Sequence, residues 1–302
     1  MILWFKKQQE LFQAFAANFV GMFLSLIKIV VLSKLKVRIP KASTEEMVIM
    51  GNGPSFRKAL DEHPEFFRHK ELCCVNFFPN TEEYEKLKPS SIIWLDHIYY
   101  PHKTLSLKEE VKTVVESIIN KTTWKVTLFV PYIAKNVQYQ HIEQVPLKNT
   151  NVTLCYFNYT IVTGFAWFRR LIYRSNWGMP LCQNVVVAAT FLAVNRGYSN
   201  VYLTGVENGF FKELIVGEDN QIYLGHTHFY SPGGEKIITR LHKDTLGQEE
   251  TDLADALMLA VKTFRGYKEV RRYADYRKVS VYNLTEGSYV DAFVRKKIAS
   301  LT

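Results

Sequence analysis

Short apolar runs alternate with amphipathic stretches along most of the chain. Val48-Ile49-Met50, Leu72-Cys73-Cys74-Val75 and Ile92-Ile93-Trp94-Leu95 are too short for helices, and polar residues or glycine bound each one. With similar runs later in the chain they predict buried strands over 46–50, 71–78, 91–95, 124–130, 151–157, 199–204 and 279–284. Helical spacing of apolar residues predicts helices over 55–68, 107–120, 185–194 and 250–264. In the last of these, Leu253, Ala256, Leu257, Ala260, Val261 and Phe264 form a core-facing stripe. Strands that alternate with helices predict an α/β fold, a single doubly wound and mostly parallel sheet of Rossmann type. Asp219-Asn220 reads as a hairpin tip, and Thr285-Glu286-Gly287-Ser288 as the start of a terminal helix.

One stretch departs from this alternation. No charged residue occurs from 11 to 27, and after Lys28 the apolar run resumes. A bilayer crossing takes about 20 apolar residues, so the segment sits near that limit. Trp4 and Phe5 beside Lys6 and Lys7, with Lys34, Lys36, Arg38 and Lys41 at the other end, are the belts of a membrane interface. The expectation is a membrane-associating N-terminal helix and linker over 1–40, then a catalytic domain over 41–302. The excess of positive charge after the segment places that domain on the cytoplasmic face of the inner membrane.

The 302 residues suffice for one large core plus an appendage, and an apolar content of 47% sets disorder aside. A net charge of +9 favours an anionic partner, a nucleotide or an anionic lipid surface. No zinc-finger or RNP-type signature accompanies that charge, so nucleic acid is not expected. Cys73, Cys74, Cys155 and Cys182 form neither a disulfide framework nor a zinc pattern, which points to a reducing compartment.

Candidate chemistry begins where the first strand breaks into Gly51-Asn52-Gly53-Pro54-Ser55. Glycines at a strand end, with Ser55 capping the next helix, predict amide N–H groups and a helix dipole aimed at an anion. The pattern recurs at Thr204-Gly205-Val206-Glu207-Asn208. Asn52, Asn76, Asp96 and Glu207 all end strands, which is compatible with plain turn chemistry and with a ligand pocket at one sheet edge. His226 and His228 lie two apart, on one face of a strand. That spacing suits a metal, a structural pair or a general base, and no further metal ligand stands near. The aromatic and basic stretch 165–179, with Trp167, Arg169, Arg170, Arg174 and Trp177, is compatible with a lid over an anionic or sugar ligand, a second membrane contact or a packed helix.

IMGNGPS, CVNFF, RGYSNVYLTGVEN, YLGHT and VYNLTEGSYVDAF, in that order over 47–293, resemble the bacterial sialyltransferases of the Campylobacter lipooligosaccharide type, glycosyltransferase family 42-like enzymes. The resemblance implies a GT-A variant fold. It also implies inverting transfer of a sialic-acid-like sugar from a CMP-activated donor to a cell-surface glycan or lipid-linked glycan acceptor, with no metal or other cofactor. The family's general base falls on His226, and its nucleotide contacts on Asn52, Gly53, Ser55, Asn76 and Glu207. Gly51, Asp96, Gln183, Gly205, Asn208 and Tyr223 complete the candidate substrate-binding set. Where the family has tyrosines for the leaving phosphate, this chain has Asn208, Gly209, Phe210 and Phe211. The family's membrane-associating region also lies near the other terminus. A homo-oligomer is compatible with this reading. A pyrophosphokinase-like nucleotide enzyme using the same glycine-turn crevice, and a non-catalytic membrane-bound assembly protein, are the alternatives.

Overall fold

The computed structural model describes residues 2–101, 107–136, 140–230, 237–242 and 249–301, without the side chains of Ile2, Leu3, Asn136, Gln140 and His226. A helix, α1 (Ile2–Leu32), precedes an alternating series of strands and helices. The series runs β1 (Glu46–Met50), α2 (Ser55–Glu62), β2 (Glu71–Val75), α3 (Glu83–Leu87), β3 (Ser91–Ile93), α4 (Glu109–Lys121), β4 (Val126–Pro131), α5 (Ile133–Asn136), α6 (Gln140–Lys148) and β5 (Val152–Phe157). It continues through α7 (Ala166–Arg174), α8 (Val185–Arg196), β6 (Asn200–Thr204), β7 (Leu214–Val216), β8 (Ile222–His226), β9 (Ile237–Arg240), α9 (Leu253–Arg277), β10 (Ser280–Asn283) and β11 (Val294–Arg295). Eight strands form one sheet in the order β11-β10-β6-β1-β2-β3-β4-β5, with every neighbouring pair parallel. The fold is thus the α/β fold expected, and β7, β8 and β9 make a separate antiparallel sheet around the Asp219-Asn220 tip.

Both faces of a parallel sheet must be covered, which is why its strands read as continuous apolar runs. Along β1, Met47 and Ile49 enter one core with α7, α8 and α9, while Val48 and Met50 enter the other with α2, α4 and α6. Helix α8 is apolar on all sides because it lies between the sheet and α9. Asn184 opens it by accepting from the Val186 amide at 2.6 Å, and Gly197 closes it in a left-handed turn.

Three expectations change. The helix expected over 55–68 stops at Glu62, because Pro64 disfavours the helical conformation at His63, which has φ −138° and ψ 52°, and a 3-10 turn follows. The helix expected to end at Phe264 continues to Arg277, with Tyr267, Val270, Tyr273 and Ala274 still buried under its charged outer face. Thr285 to Ser288 opens no helix. Instead the segment straps the end of β6: the Thr285 hydroxyl accepts from the Val206 amide at 3.0 Å and the Ser288 hydroxyl donates to the Val206 carbonyl at 2.7 Å.

Helix α1 contains, over Trp4–Leu32, a span long and apolar enough to cross a membrane, with mean hydropathy 2.1. One narrow stripe docks on the body. Ser25 meets Thr163, the Ser33 hydroxyl donates to the Trp177 carbonyl at 2.6 Å and lies 2.7 Å from the Thr160 hydroxyl, and the Lys34 amide donates to Asn158 Oδ1 at 2.8 Å. Around the rest, large apolar side chains such as Phe12, 72% exposed, face outward.

Glu71 organises the amino end of the sheet. Its carboxylate accepts from the Ser43 hydroxyl and the Tyr198 hydroxyl, each at 2.5 Å, and pairs with Arg196 at 3.3 Å. Burial alone would raise its pKa, but the Ser43 and Tyr198 hydrogen bonds and the Arg196 charge outweigh that and bring it down to about 2. A carboxyl group depressed in the folded state stabilises above its unfolded pKa, near 4.3, and the stabilisation disappears as pH falls toward 2. Urea titrations from pH 6 to pH 2 are therefore expected to show a loss of about 3 kcal/mol below pH 4 that Glu71→Gln lacks, the variant being already destabilised at pH 6 by a similar amount.

Candidate functional site

Because all eight strands are parallel, Asn52, Asn76, Asp96 and Glu207 follow the carboxyl ends of their strands on one edge of the sheet. From β1 the chain builds outward to β5, then returns to the other side of β1 with β6. The order thus reverses between β1 and β6, the position where open α/β sheets bind ligands.

The two glycine turns meet there. The Gly51 amide donates to the Thr204 carbonyl at 2.8 Å and the Gly53 amide to the Gly205 carbonyl at 3.0 Å. A β-carbon on Gly51 would overlap the Gly205 carbonyl, and Gly205 has φ +67°. These glycines are needed for the turns to reach each other.

The anion expected at the start of α2 is supplied by the chain itself. Glu207 Oε1 accepts from the Ser55 amide at 2.7 Å, and its carboxylate fills the space that a β-carbon on Gly53 would need. A carboxylate at a helix N-terminus is favourable, and it occupies the amide that a phosphate would otherwise take. Ser55 is not the cap expected: Pro54 holds that position, and the Ser55 hydroxyl is buried without a hydrogen-bond partner among the described residues.

On the β2 side, Asn52 Nδ2 donates to the Val75 carbonyl at 3.4 Å, and Asn76 adopts a left-handed conformation, φ +54°. Asn52 Oδ1, Asn76 Oδ1 and the hydroxyls of Thr204 and Tyr99 join Ser55 as buried atoms with no partner among the described residues. Tyr99 stacks on Trp94 at 4.5 Å, and burial, reinforced by the Asp96 charge, keeps its hydroxyl protonated. Each such buried polar atom costs about 1–3 kcal/mol, and five of the six found among the described residues lie along this edge, the sixth being His242 Nδ1.

The segment after β8 closes over this edge. The Phe229 amide donates to the Asn52 carbonyl at 3.0 Å, and its ring packs 4.9 Å from Phe56 and 5.4 Å from Phe78. His228 and Tyr230 stack on each other at 5.0 Å, and burial pushes the Tyr230 hydroxyl up to about 12. The backbone of His226 pairs with Ile237 only three residues before Phe229, a reach of roughly 10 Å at most. The His226 side chain lies outside the described residues.

The structure therefore brings Gly51, Asn52, Gly53, Ser55, Asn76, Gly205 and Glu207 together. Asp96 stands farther along the same edge, exposed, and caps a turn by accepting from the Ile98 amide at 3.1 Å. Asn208 lies behind the edge with its amide engaged, accepting from Asn184 and donating to the Tyr267 hydroxyl. Gln183 is exposed before α8, and Tyr223 turns to the hairpin tip, donating to Asp219 at 2.8 Å. No group of three or more His, Cys, Asp or Glu that could hold a metal occurs among the described residues. Thr204, Tyr99 and Phe229 were not singled out from the sequence. Thr204 alone carried a signal, as the polar end of the strand in the repeated glycine motif.

No protein-family model matches the chain, nor does any curated protein. Among solved structures it is similar to the MAf glycosyltransferase from Magnetospirillum magneticum, with a TM-score of 0.50 and 10% identity over 94% of this chain and 39% of that one. The chain thus spans about two-fifths of that protein's length, and the likeness is one of fold.

Gly51→Ala, which sets a methyl group against a backbone carbonyl, is expected to cost about 3 kcal/mol in chemical denaturation. Gly197→Ala, with open space around it and only its positive φ at stake, is expected to cost about 1 kcal/mol.

Proposed function

We propose that this protein is a membrane-associated inverting glycosyltransferase that moves a sialic-acid-like sugar from a CMP-activated donor to a glycan acceptor. The observation that carries the reading is the Phe229 to Asn52 hydrogen bond, which holds the histidine-bearing segment over the switch-point edge. The motif resemblance and the glycosyltransferase fold neighbour support the same class.

In this reading the amides of Asn52 and Asn76 hold the nucleoside portion of the donor, their unpartnered oxygens accepting from it. His226 takes the proton from the acceptor hydroxyl as that oxygen attacks the anomeric carbon, and the nucleotide departs from the opposite face. Excluding water behind Phe229 and Tyr230 favours transfer over hydrolysis. With purified protein and CMP-activated sugar, His226→Ala is expected to abolish turnover and retain CMP affinity, whereas Asn52→Ala weakens CMP binding roughly tenfold. Unchanged turnover in His226→Ala would remove the proposed base.

Helix α1 is the membrane anchor in this reading, lying in the interface. From the Phe15 contact with Phe165 to Lys34 it runs along the body, leaving a free portion of about 20 Å against a hydrocarbon core of about 30 Å. Exposed Trp167 and Leu171 on α7 extend the same apolar surface. Wild-type protein is expected to float with vesicles containing anionic lipid, and the combined Phe12→Asp, Phe19→Asp and Phe23→Asp variant to stay behind. A tag before Met1 that resists protease added on the side of the body would contradict the in-plane placement.

A further inference from the structure

A cavity of about 590 Å³ lies between α2 and the segment that follows β10, a volume within the range of small-molecule sites. Ser55 and Thr204 line it, and so do Lys58, Arg295, Lys296 and Lys297. Thr204 is only 1% exposed, and its hydroxyl, like that of Ser55, is buried with no partner among the described residues. Asn283, which also lines it, has its amide nitrogen engaged by Ser288 and the Val290 carbonyl, so the hydroxyls are the lining's uncommitted buried donors among the described residues. Two carboxylates, Glu62 and Glu286, face the four cations. Glu286 pairs with Lys58 at 2.7 Å, but both side chains are exposed, and such a pair opens at little cost.

The lining combines buried hydroxyl donors with an excess of positive charge, the chemistry that recognises an anion. The nearby start of α2 is taken by the Glu207 carboxylate, which would repel a second anion there. We propose that this cavity binds a phosphoryl group of a small phosphorylated ligand, its oxygens accepting from Thr204, away from Glu207, and pairing with Arg295, Lys296 and Lys297. It rests on the transferase reading only for the owner of the phosphate: the departing nucleotide or a phosphate-linked acceptor.

The test is calorimetric titration of the full chain in neutral detergent with pyrophosphate. Wild type binds saturably, and the Lys296→Ala, Lys297→Ala double variant binds at least roughly tenfold more weakly. Thr204→Val weakens binding several-fold while the melting temperature holds or rises, because an unpartnered buried hydroxyl gives way to a methyl group of the same shape. Displacement of pyrophosphate by CMP assigns the site to the donor, and displacement by octyl phosphate and not by CMP assigns it to the acceptor. No saturable binding to wild type, or equal affinity in both variants, overturns the proposal. His226→Ala turnover bears only on the proposed base and leaves this titration unaffected, so the two readings fail separately.

Discussion

Everything at the carboxyl edge depends on how closely β1 and β6 approach as they end. Two glycine turns interlock there, with no room for a β-carbon on Gly51, and the reversal of strand order falls at the same place. Once the turns are locked, Glu207 is delivered to the first turn of α2 and neutralises the helix end from within. The carboxylate thereby divides the edge in two: an asparagine-lined surface toward β2 and β3, and a hydroxyl-lined, basic cavity toward β10. A nucleotide and the segment bearing His226 belong to the first in our reading, and a phosphoryl group to the second.

Much of this was legible in the sequence because parallel strands advertise themselves. Met47 to Met50 is apolar without alternation since both faces are covered, whereas the stripe read on α9 is only half right: Ala256 and Ala260 are buried with Thr263 and Tyr267, while Leu253, Leu257 and Val261 are exposed. The convergence of Asn52, Asn76, Asp96 and Glu207 followed from topology alone. The missed features are those in which a residue's partner is distant in sequence. Glycines beside a strand end read as a phosphate cradle, but only the fold reveals that Gly53 is empty-sided to admit Glu207. Thr285 and Ser288 carry the letters of a helix start, yet their hydroxyls are committed to Val206. Pro64 was the plain local signal whose effect on α2 the helical pattern obscured.

The aromatic and basic stretch 165–179 illustrates the same limit. Two of its arginines are engaged within the protein: Arg169 pairs with Glu269 at 2.8 Å, and Arg170 lies over the Tyr276 ring at 4.7 Å. Both tie α7 to α9, while Trp167 faces outward near the exposed side of α1. Small and hydroxyl-bearing residues, Gly21, Ser25 and, just past its end, Ser33, let α1 approach the body closely and hydrogen-bond to it. Membrane attachment through such a helix would fix the orientation of the carboxyl edge relative to the bilayer.

The central claim, that a nucleotide lies on the asparagine surface under the Phe229 segment, is tested most directly by selective asparagine labelling. Side-chain amide resonances would be followed during titration with CMP, with Asn149 and Asn195, whose amides are held away from this edge, as internal references. The account predicts that the Asn52 and Asn76 amides shift together and saturate while the references stay in place. Fixed Asn52 and Asn76 resonances at saturating nucleotide would contradict it.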